Sequence, residues 1–362
     1  MKQAPRAWFE SFTTQLLHLG FIASTADSSL FIYKEHKIIA YLLLYVDDIV
    51  LTSNTSAFLD TLIHKLSSVF DLKDLGSLHY FLGLQVTRTP SRLYINQAKY
   101  AQDLLKKHNM LDCKPASSPS CPNTRLSLHD RDPLPDPHAY RSMVGALHYL
   151  TFTRPDISFA VHQVCQYMST PTTTHLAAAK RVLRYIRGTF NHGIEFTPGP
   201  LFLSAYTDAD WAGDPDDRRS TSGFLVYLGH NAITWSAKKQ ATVSRSSTKS
   251  EYRALAIASV ELCWVRSLLK DLGIYLPDPP TLWCDNISAL AIASNPVFHA
   301  RIKHIEVDFH FVCERVLRKD LLVKFVSTVD QLTDIFTKSL STHRFLELRR
   351  NLTVPVPKIE GG

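Results

Sequence analysis

The chain has 362 residues, 40 Lys+Arg against 33 Asp+Glu for a formal charge of +7, and 45% hydrophobic residues. That length accommodates two or three packed domains, and the composition excludes a disordered polyelectrolyte, a collagen-like chain and a disulfide scaffold. The longest strongly apolar run, Ile38 to Tyr45, ends at two aspartates and falls well short of the roughly 20 residues that span a bilayer, so it predicts a buried strand and no membrane association.

The opening residues, MKQAPRAWFESF, contain no apolar signal-like stretch, so a chain that stays inside the cell is expected. Ala7–Leu19 predicts a helix stopped by Gly20. Strands are expected over Ser29–Tyr33, Ile38–Val46 and Ile49–Thr52, with Asp47 and Asp48 at the tip of a hairpin. An Asp-Asp pair lacks the glycine that tight two-residue turns favour, which weakens its reading as an ordinary turn. Phe58–Phe70 has helical spacing, and Tyr80–Thr87 and Arg92–Ile95 predict strands joined at Thr89-Pro90-Ser91. Residues 1–95 therefore form a first segment of mixed helix and antiparallel strand.

From Gln97 to about Gly188 the period is helical, interrupted by Lys114–Pro137, whose prolines forbid regular helix and predict an extended, exposed connector. Helices are expected over Tyr140–Thr151, Pro155–Met168 and Thr173–Arg187. Residues 141–190 hold six cations and one acid, which predicts a local basic face. Within it, Lys180, Arg184 and Arg187 share one helix face with Arg181 beside them. Two readings stay open there: a solvated surface, or contact with nucleic-acid phosphates that weakens with salt. The six cysteines form no CxxC pair and no zinc spacing, so reduced thiols are expected.

Thr197-Pro198-Gly199-Pro200 marks a boundary between a helical segment, 96–200, and a third segment, 201–345. Beyond it the order is three strands (Leu201–Asp208, Ser222–Leu228, Ala232–Ser236), a long helix (Lys249–Leu272), then alternating strands and helices. That order describes a small mixed sheet with helices on its faces. Residues 346–362 are expected to be a tail that frays after Leu352.

Four acids of the third segment sit at element ends. Asp208 closes its first strand, Glu251 opens the long helix, Asp285 closes the fourth strand, and Asp334 is early in the last helix. If those ends converge on one sheet edge, four carboxylates repel one another unless divalent cations neutralise them. Two hard cations held by such oxygens can stabilise both the attacking and the leaving oxygens at phosphorus. Structural roles compete: Thr248-x-x-Glu251 fits a capping box, and Asp285 could cap the helix that follows it.

The segments TDADWAGDPDDRRSTSGF, ITWSAKKQATVSRSSTKSEYRAL, LWCDNISALAIASNPVFHARIKHIEVDFHF and DQLTDIFTKSL resemble the ribonuclease H domain of copia-type retrotransposon pol polyproteins. YVDDIV, KQAPRAWFE, FDLKDLGSLHYFLGLQV, RSMVGALHYLTFTRPDISFAV and HLAAAKRVLRYIRGT resemble the reverse transcriptase region of the same family. The resemblance implies a partial reverse-transcriptase palm with a helical thumb and connection, α+β and α/β in class, followed by a ribonuclease H-like mixed five-stranded sheet. By it Asp208, Glu251, Asp285 and Asp334 hold two Mg²⁺ or Mn²⁺ ions and hydrolyse the RNA strand of an RNA/DNA hybrid, with Asp334 preferred over Asp308 as fourth ligand. Asp47 and Asp48 likewise hold Mg²⁺, and Gln3 lies near an RNA template and the incoming nucleotide for DNA synthesis. One departure is that the loop before the last helix, Thr328-Val329-Asp330, lacks the histidine that many ribonucleases H carry there. A bridging carboxylate of the polymerase is expected upstream of KQAPRAW, so the polymerase is expected to be incomplete without the N-terminal part of the polyprotein. The family points to cytoplasm or nucleus, with an organelle left open, and a non-catalytic remnant that binds nucleic acid or is inactive is the competing reading.

Overall fold

Alternate residues of Ile38–Tyr45 bury Ala40, Leu42 and Leu44 on one face, the pattern of a strand half-covered by helices. The computed structural model describes residues 4–122, 124–295 and 306–355. These fall into two compact units, one from Met1–Phe81 with Cys263–Pro277, the other from Leu82–Leu262 with Asp278–Gly362.

The first unit contains α1 (Ala4–His18), β1 (Ile22–Ala23), β2 (Leu30–Glu35), β3 (Ile38–Tyr45), β4 (Asp48–Ser53), α2 (Ser56–Ser67) and β5 (Tyr80–Phe81). Strands β1 to β4 form an antiparallel sheet in sequence order. Phe12 and Leu16 of α1 and Leu62 and Leu66 of α2 close its core against Phe31, Ala40, Leu42 and Leu44. The expected hairpin is present: Tyr45 pairs with Asp48, and Val46-Asp47 make the turn. Val46 has φ 51°, a left-handed conformation that strains a β-branched residue.

The second unit begins with β6 (Leu84–Thr89), β7 (Arg92–Asn96), α3 (Ala98–Lys107), α4 (Pro137–Leu150), a 3-10 turn (Pro155–Ile157), α5 (Ser158–Cys165), α6 (Thr173–Thr189) and β8 (His192–Phe196). Strands β6, β7 and β8 are antiparallel neighbours in that order, so the hairpin that ends the first sequence segment pairs through β7 with the strand that closes the helical one. Gly193 permits this, because a Cβ there would lie 2.2 Å from the carbonyl oxygen of Ile95.

Next come β9 (Leu203–Asp210), β10 (Thr221–Leu228), β11 (Asn231–Lys239), α7 (Ser247–Asp271), β12 (Thr281–Cys284), α8 (Ile287–Ser294), α9 (Glu306–Leu317), β13 (Leu322–Phe325), α10 (Asp334–Thr337), α11 (Thr342–Arg349) and β14 (Val354–Pro355). The sheet order is β11-β10-β9-β12-β13, with an antiparallel meander followed by two parallel strands. This is the mixed five-stranded sheet that the resemblance implies. One core runs through the unit, joining Tyr140, Leu147, Val161 and Ile186 of the helices to Leu225 and Tyr227 of β10 and Phe336 of α10. The Thr197–Pro200 punctuation thus falls inside a single packed unit. The expected fraying after Leu352 is corrected in part, since β14 pairs antiparallel with β8.

Two further expectations are refined. The proline-rich connector is exposed along most of its described residues, as expected, yet it is docked onto the fold rather than free of it. Its carbonyl at Lys114 accepts from Arg184, that of Cys121 from Ser339, and that of Leu126 from Tyr167, while Arg187 donates to the Leu111 carbonyl just before it. Proline removes backbone donors but leaves acceptors, and side-chain donors satisfy them here. The basic face is largely consumed by internal contacts: Arg181 donates to Ser118 of the connector, and Arg141 donates to the carbonyls of Met168 and Ser169 after α5. Arg154 is buried in a bidentate pair with Asp156, which also accepts from Tyr185 at 2.6 Å. Lys180 remains exposed.

Candidate metal centre

The β9 strand ends in Asp208 and Asp210, and its neighbour β10 places Gly223 opposite Asp208. A Cβ on Gly223 would lie 2.7 Å from the Cβ of Phe336 and 2.9 Å from the Cγ2 of Thr337. The missing side chain therefore lets α10 lie close on the sheet and carries Asp334 to the end of β9. There Thr337 donates its hydroxyl to Asp208, which is 1% exposed. The Lys338 ammonium lies 3.3 Å from Asp208 and bridges it to Asp334, while Arg344 is 3.9 Å from Asp334.

Glu251 arrives on α7. That helix begins at Ser247, and the Ser246 side chain accepts from the Lys249 amide, so the capping-box alternative for Glu251 does not hold. Its Oε2 is buried without a hydrogen-bond partner. Asp285 follows β12, and the capping duty falls to Asn286, which accepts from the Ala289 amide at 2.9 Å. Asp285 is thereby released from the structural role that competed for it. Ligand atoms of Glu251, Cys284 and Asp285 lie within 4.8 Å of one another.

The electrostatics show what such a cluster costs without cations. Burial first, then Asp208 and Asp285, pushes Glu251 up to about 9. Burial, followed by Asp208, raises Asp285. Asp334 is also raised, by burial most of all, with Lys338 opposing and Asp208 and Asp285 adding to the rise. Burial alone would lower Lys338, yet Asp208, Asp334 and Asp285 hold it above its ordinary value. Asp210, half-buried, is pushed up to about 7 by desolvation first, with Asp208 adding to the rise. Asp308 interacts instead with Arg253 and Tyr252.

Asp208, Glu251, Asp285 and Asp334 are thus drawn together from four separated elements. Asp47 and Asp48 lie side by side, both exposed, on the hairpin of the first unit. Gln3 lies outside the described residues. Lys180 is exposed, whereas Arg181 and Arg184 donate to the connector and Arg187 to the Leu111 carbonyl just before it. Sequence reasoning missed Lys338, Cys284, Asp210 and Gly223. The first three stand four, one and two residues from a named acid, which is a usable signal once the acids are chosen.

Residues 1–122 match the family model described as reverse transcriptase (RNA-dependent DNA polymerase). A retrovirus-related Pol polyprotein from transposon RE2 of Arabidopsis thaliana is 49% identical over 364 residues, covering 100% of this chain and 25% of that polyprotein. An uncharacterized mitochondrial protein of the same plant, AtMg00810, is 53% identical over 225 residues, which is 62% of this chain and 93% of that protein. The chain belongs to the copia-type retrotransposon pol polyprotein family. It spans about a quarter of the length of the family's Pol polyproteins that it matches. A solved foamy viral protease-reverse transcriptase in complex with RNA/DNA hybrid aligns over 81% of this chain and 36% of that one, at 12% identity and a TM-score of 0.46. No helix among the described residues of this pol segment is long and apolar enough to cross a membrane.

Proposed function

We propose that this segment of a copia-type pol polyprotein hydrolyses the RNA strand of RNA/DNA hybrids at the carboxylate cluster of its second unit. The observation that carries the reading is the convergence of Asp208, Glu251, Asp285 and Asp334, with a buried, unpartnered oxygen on Glu251. These residues fit hard divalent cations. The raised carboxyls call for positive charge, and Lys338 already supplies one such charge between Asp208 and Asp334. Two Mg²⁺ or Mn²⁺ ions would be held by the four acids and would supply Lewis-acid stabilisation of the attacking and leaving oxygens.

The chain's own residues fix that arrangement. Thr337 orients Asp208, Arg344 and Lys338 hold Asp334, and Gln331 donates to the Thr207 carbonyl while hydrogen-bonding Asp285. Polymerase chemistry at Asp47 and Asp48 would need a further carboxylate. Among the described residues no third ligand-type side chain clusters with them, and the rest of the polyprotein is its natural source. RNA template and DNA would then be partners of the assembled protein.

The test is purified chain with a labelled RNA/DNA hybrid and Mg²⁺, beside Asp285→Asn. Metal-dependent cleavage that falls at least 100-fold in the variant is expected, in the range lost when one charge-stabilising group of an active site is removed. Equal cleavage by both proteins, or none by the parent, overturns the reading and leaves a non-catalytic remnant. Primer extension on an RNA template is expected to fail with the chain alone.

A further inference from the structure

A cavity of about 410 Å³ opens beside the carboxylate cluster, lined by Arg125, Gln163, Asp210, Thr337, Lys338 and Ser339 among others. Arg125 belongs to the connector, more than 80 residues before Asp208 in sequence, yet its guanidinium is close enough to influence Asp210. The connector is pinned on both sides of it. Ser339 of the segment after α10 holds the Cys121 carbonyl, and Tyr167 and His175 hold the carbonyls of Leu126 and Ser127 at 2.7 and 3.0 Å. Farther along, Asp216 of the β9–β10 loop accepts from the Ser127 hydroxyl at 2.6 Å and the Leu128 amide at 2.8 Å. The backbone around Arg125 is therefore fixed against the catalytic sheet at several points.

Among the described residues no carboxylate forms an ion pair with Arg125. Lys338 commits two of its three N–H groups to Asp334 and Asp208, and lines the same cavity. Against these two cations the walls carry one acid, Asp210, whose Oδ1 already accepts from the Thr221 amide. With Lys338 given to the two acids, and the Thr337 and Ser339 hydroxyls to Asp208 and the Cys121 carbonyl, the cavity's remaining donors are the Arg125 guanidinium and the Gln163 amide; beside a site proposed to act on phosphodiesters, they fit a backbone phosphate.

We infer that the connector is a working part of the site: it presents Arg125 to a backbone phosphate of the nucleic acid entering the carboxylate cluster. This rests on the nucleic-acid reading proposed above, and it adds a binding residue from outside the ribonuclease H-like sheet. A planar guanidinium suits this contact, whereas an ammonium at the same place would retain charge without the paired donors. Because a phosphate contact carries no sequence information, the contribution of Arg125 is the same for unrelated hybrids.

The test is fluorescence anisotropy of a labelled RNA/DNA hybrid in EDTA, so that binding is read without cleavage, at several salt concentrations. Arg125→Ala is expected to weaken binding about fivefold, the size of one exposed charge contact, on two hybrids of unrelated sequence. It also lowers the slope of log K against log salt by about 1. Arg125→Lys restores the slope, and Arg131→Ala, a connector cation outside this cavity, behaves as the parent. Unchanged thermal melting of Arg125→Ala shows that the connector stays docked. Parent-like affinity and slope in Arg125→Ala overturn the inference even when the parent cleaves hybrid in Mg²⁺, so the hydrolase reading survives that result. Loss of binding in Arg125→Ala with no Mg²⁺-dependent cleavage by the parent supports the pocket and overturns the hydrolase. Failure of the parent to bind any hybrid overturns the pocket.

Discussion

Glu251 bears the largest electrostatic penalty of the cation-free cluster. Its carboxyl titrates at about 9 in the fold against 4.5 for an ordinary glutamate. Between those values the unfolded chain has released a proton that the folded chain keeps, so stability falls as pH rises across that window. Glu251→Gln removes the titration. We expect it to flatten the decline in Tm between pH 5 and pH 8 and to raise Tm at pH 8 by several degrees, for a gain on the order of 2 kcal/mol. The same variant abolishes the Tm increase that Mg²⁺ gives the parent, because binding to the folded state alone is what stabilises. Differential scanning fluorimetry with and without Mg²⁺ reads both effects, and a variant with the parent's pH slope would place the penalty elsewhere. The acids themselves were legible in sequence because each ends an element, and the competing caps were decided only by helix starts. Lys338 was not legible as a counter-ion, since its pairing with Asp208 depends on how closely α10 approaches β9 over Gly223.

Most elements followed their periodicity; the strand expected over Tyr80–Thr87 is broken locally by the left-handed Leu82-Gly83 turn, and the other departures come from long-range partners that no local pattern encodes. The β3–β4 hairpin and the β9-β10-β11 meander are local, and both were readable from alternation and turn residues. The pairing of β7 with β8 joins residues about 100 apart and depends on Gly193, so it was not readable. The cations of residues 141–190 read as a surface, yet Arg154 lies at 2% exposure between the 3-10 turn and the end of α6. It donates to both Asp156 oxygens and to the carbonyl and hydroxyl of Thr189, and Tyr185 donates to Asp156 as well. Removing one member of a buried pair strands the other charge, so Arg154→Ala should cost about 3–5 kcal/mol. Arg154→Met combined with Asp156→Leu should cost less than the single change despite altering two residues. Urea unfolding of the three proteins decides this, and a double variant no more stable than the single one would show that packing rather than charge dominates there.

At the scale of the molecule, α7 is shared: Glu251 is in the second unit, while its last turns, from Cys263, belong to the first. Within the first unit, Asp271 accepts from the Ser24 hydroxyl and Thr25 amide at 2.7 Å and from the Ala26 amide at 3.1 Å. Those donors, led by Ser24, hold its carboxyl down to about 2. The stabilisation is present above the ordinary aspartate range and is lost as pH falls toward 2. The first unit is completed by residues nearly 200 positions beyond its main segment, an arrangement invisible to any reading in chain order. Two cores with separate charge chemistry should respond separately. Hydrogen exchange in Mg²⁺ should therefore gain protection over 203–210, 247–262 and 281–286, with 30–53 unchanged. Asp271→Ala should do the reverse, speeding exchange over 22–45 while leaving the Mg²⁺ response of the cluster intact. Increased protection of 30–53 by Mg²⁺ would instead locate a second cation site at Asp47 and Asp48. Loss of the Mg²⁺ response in Asp271→Ala would show that the shared helix makes the two units unfold as one.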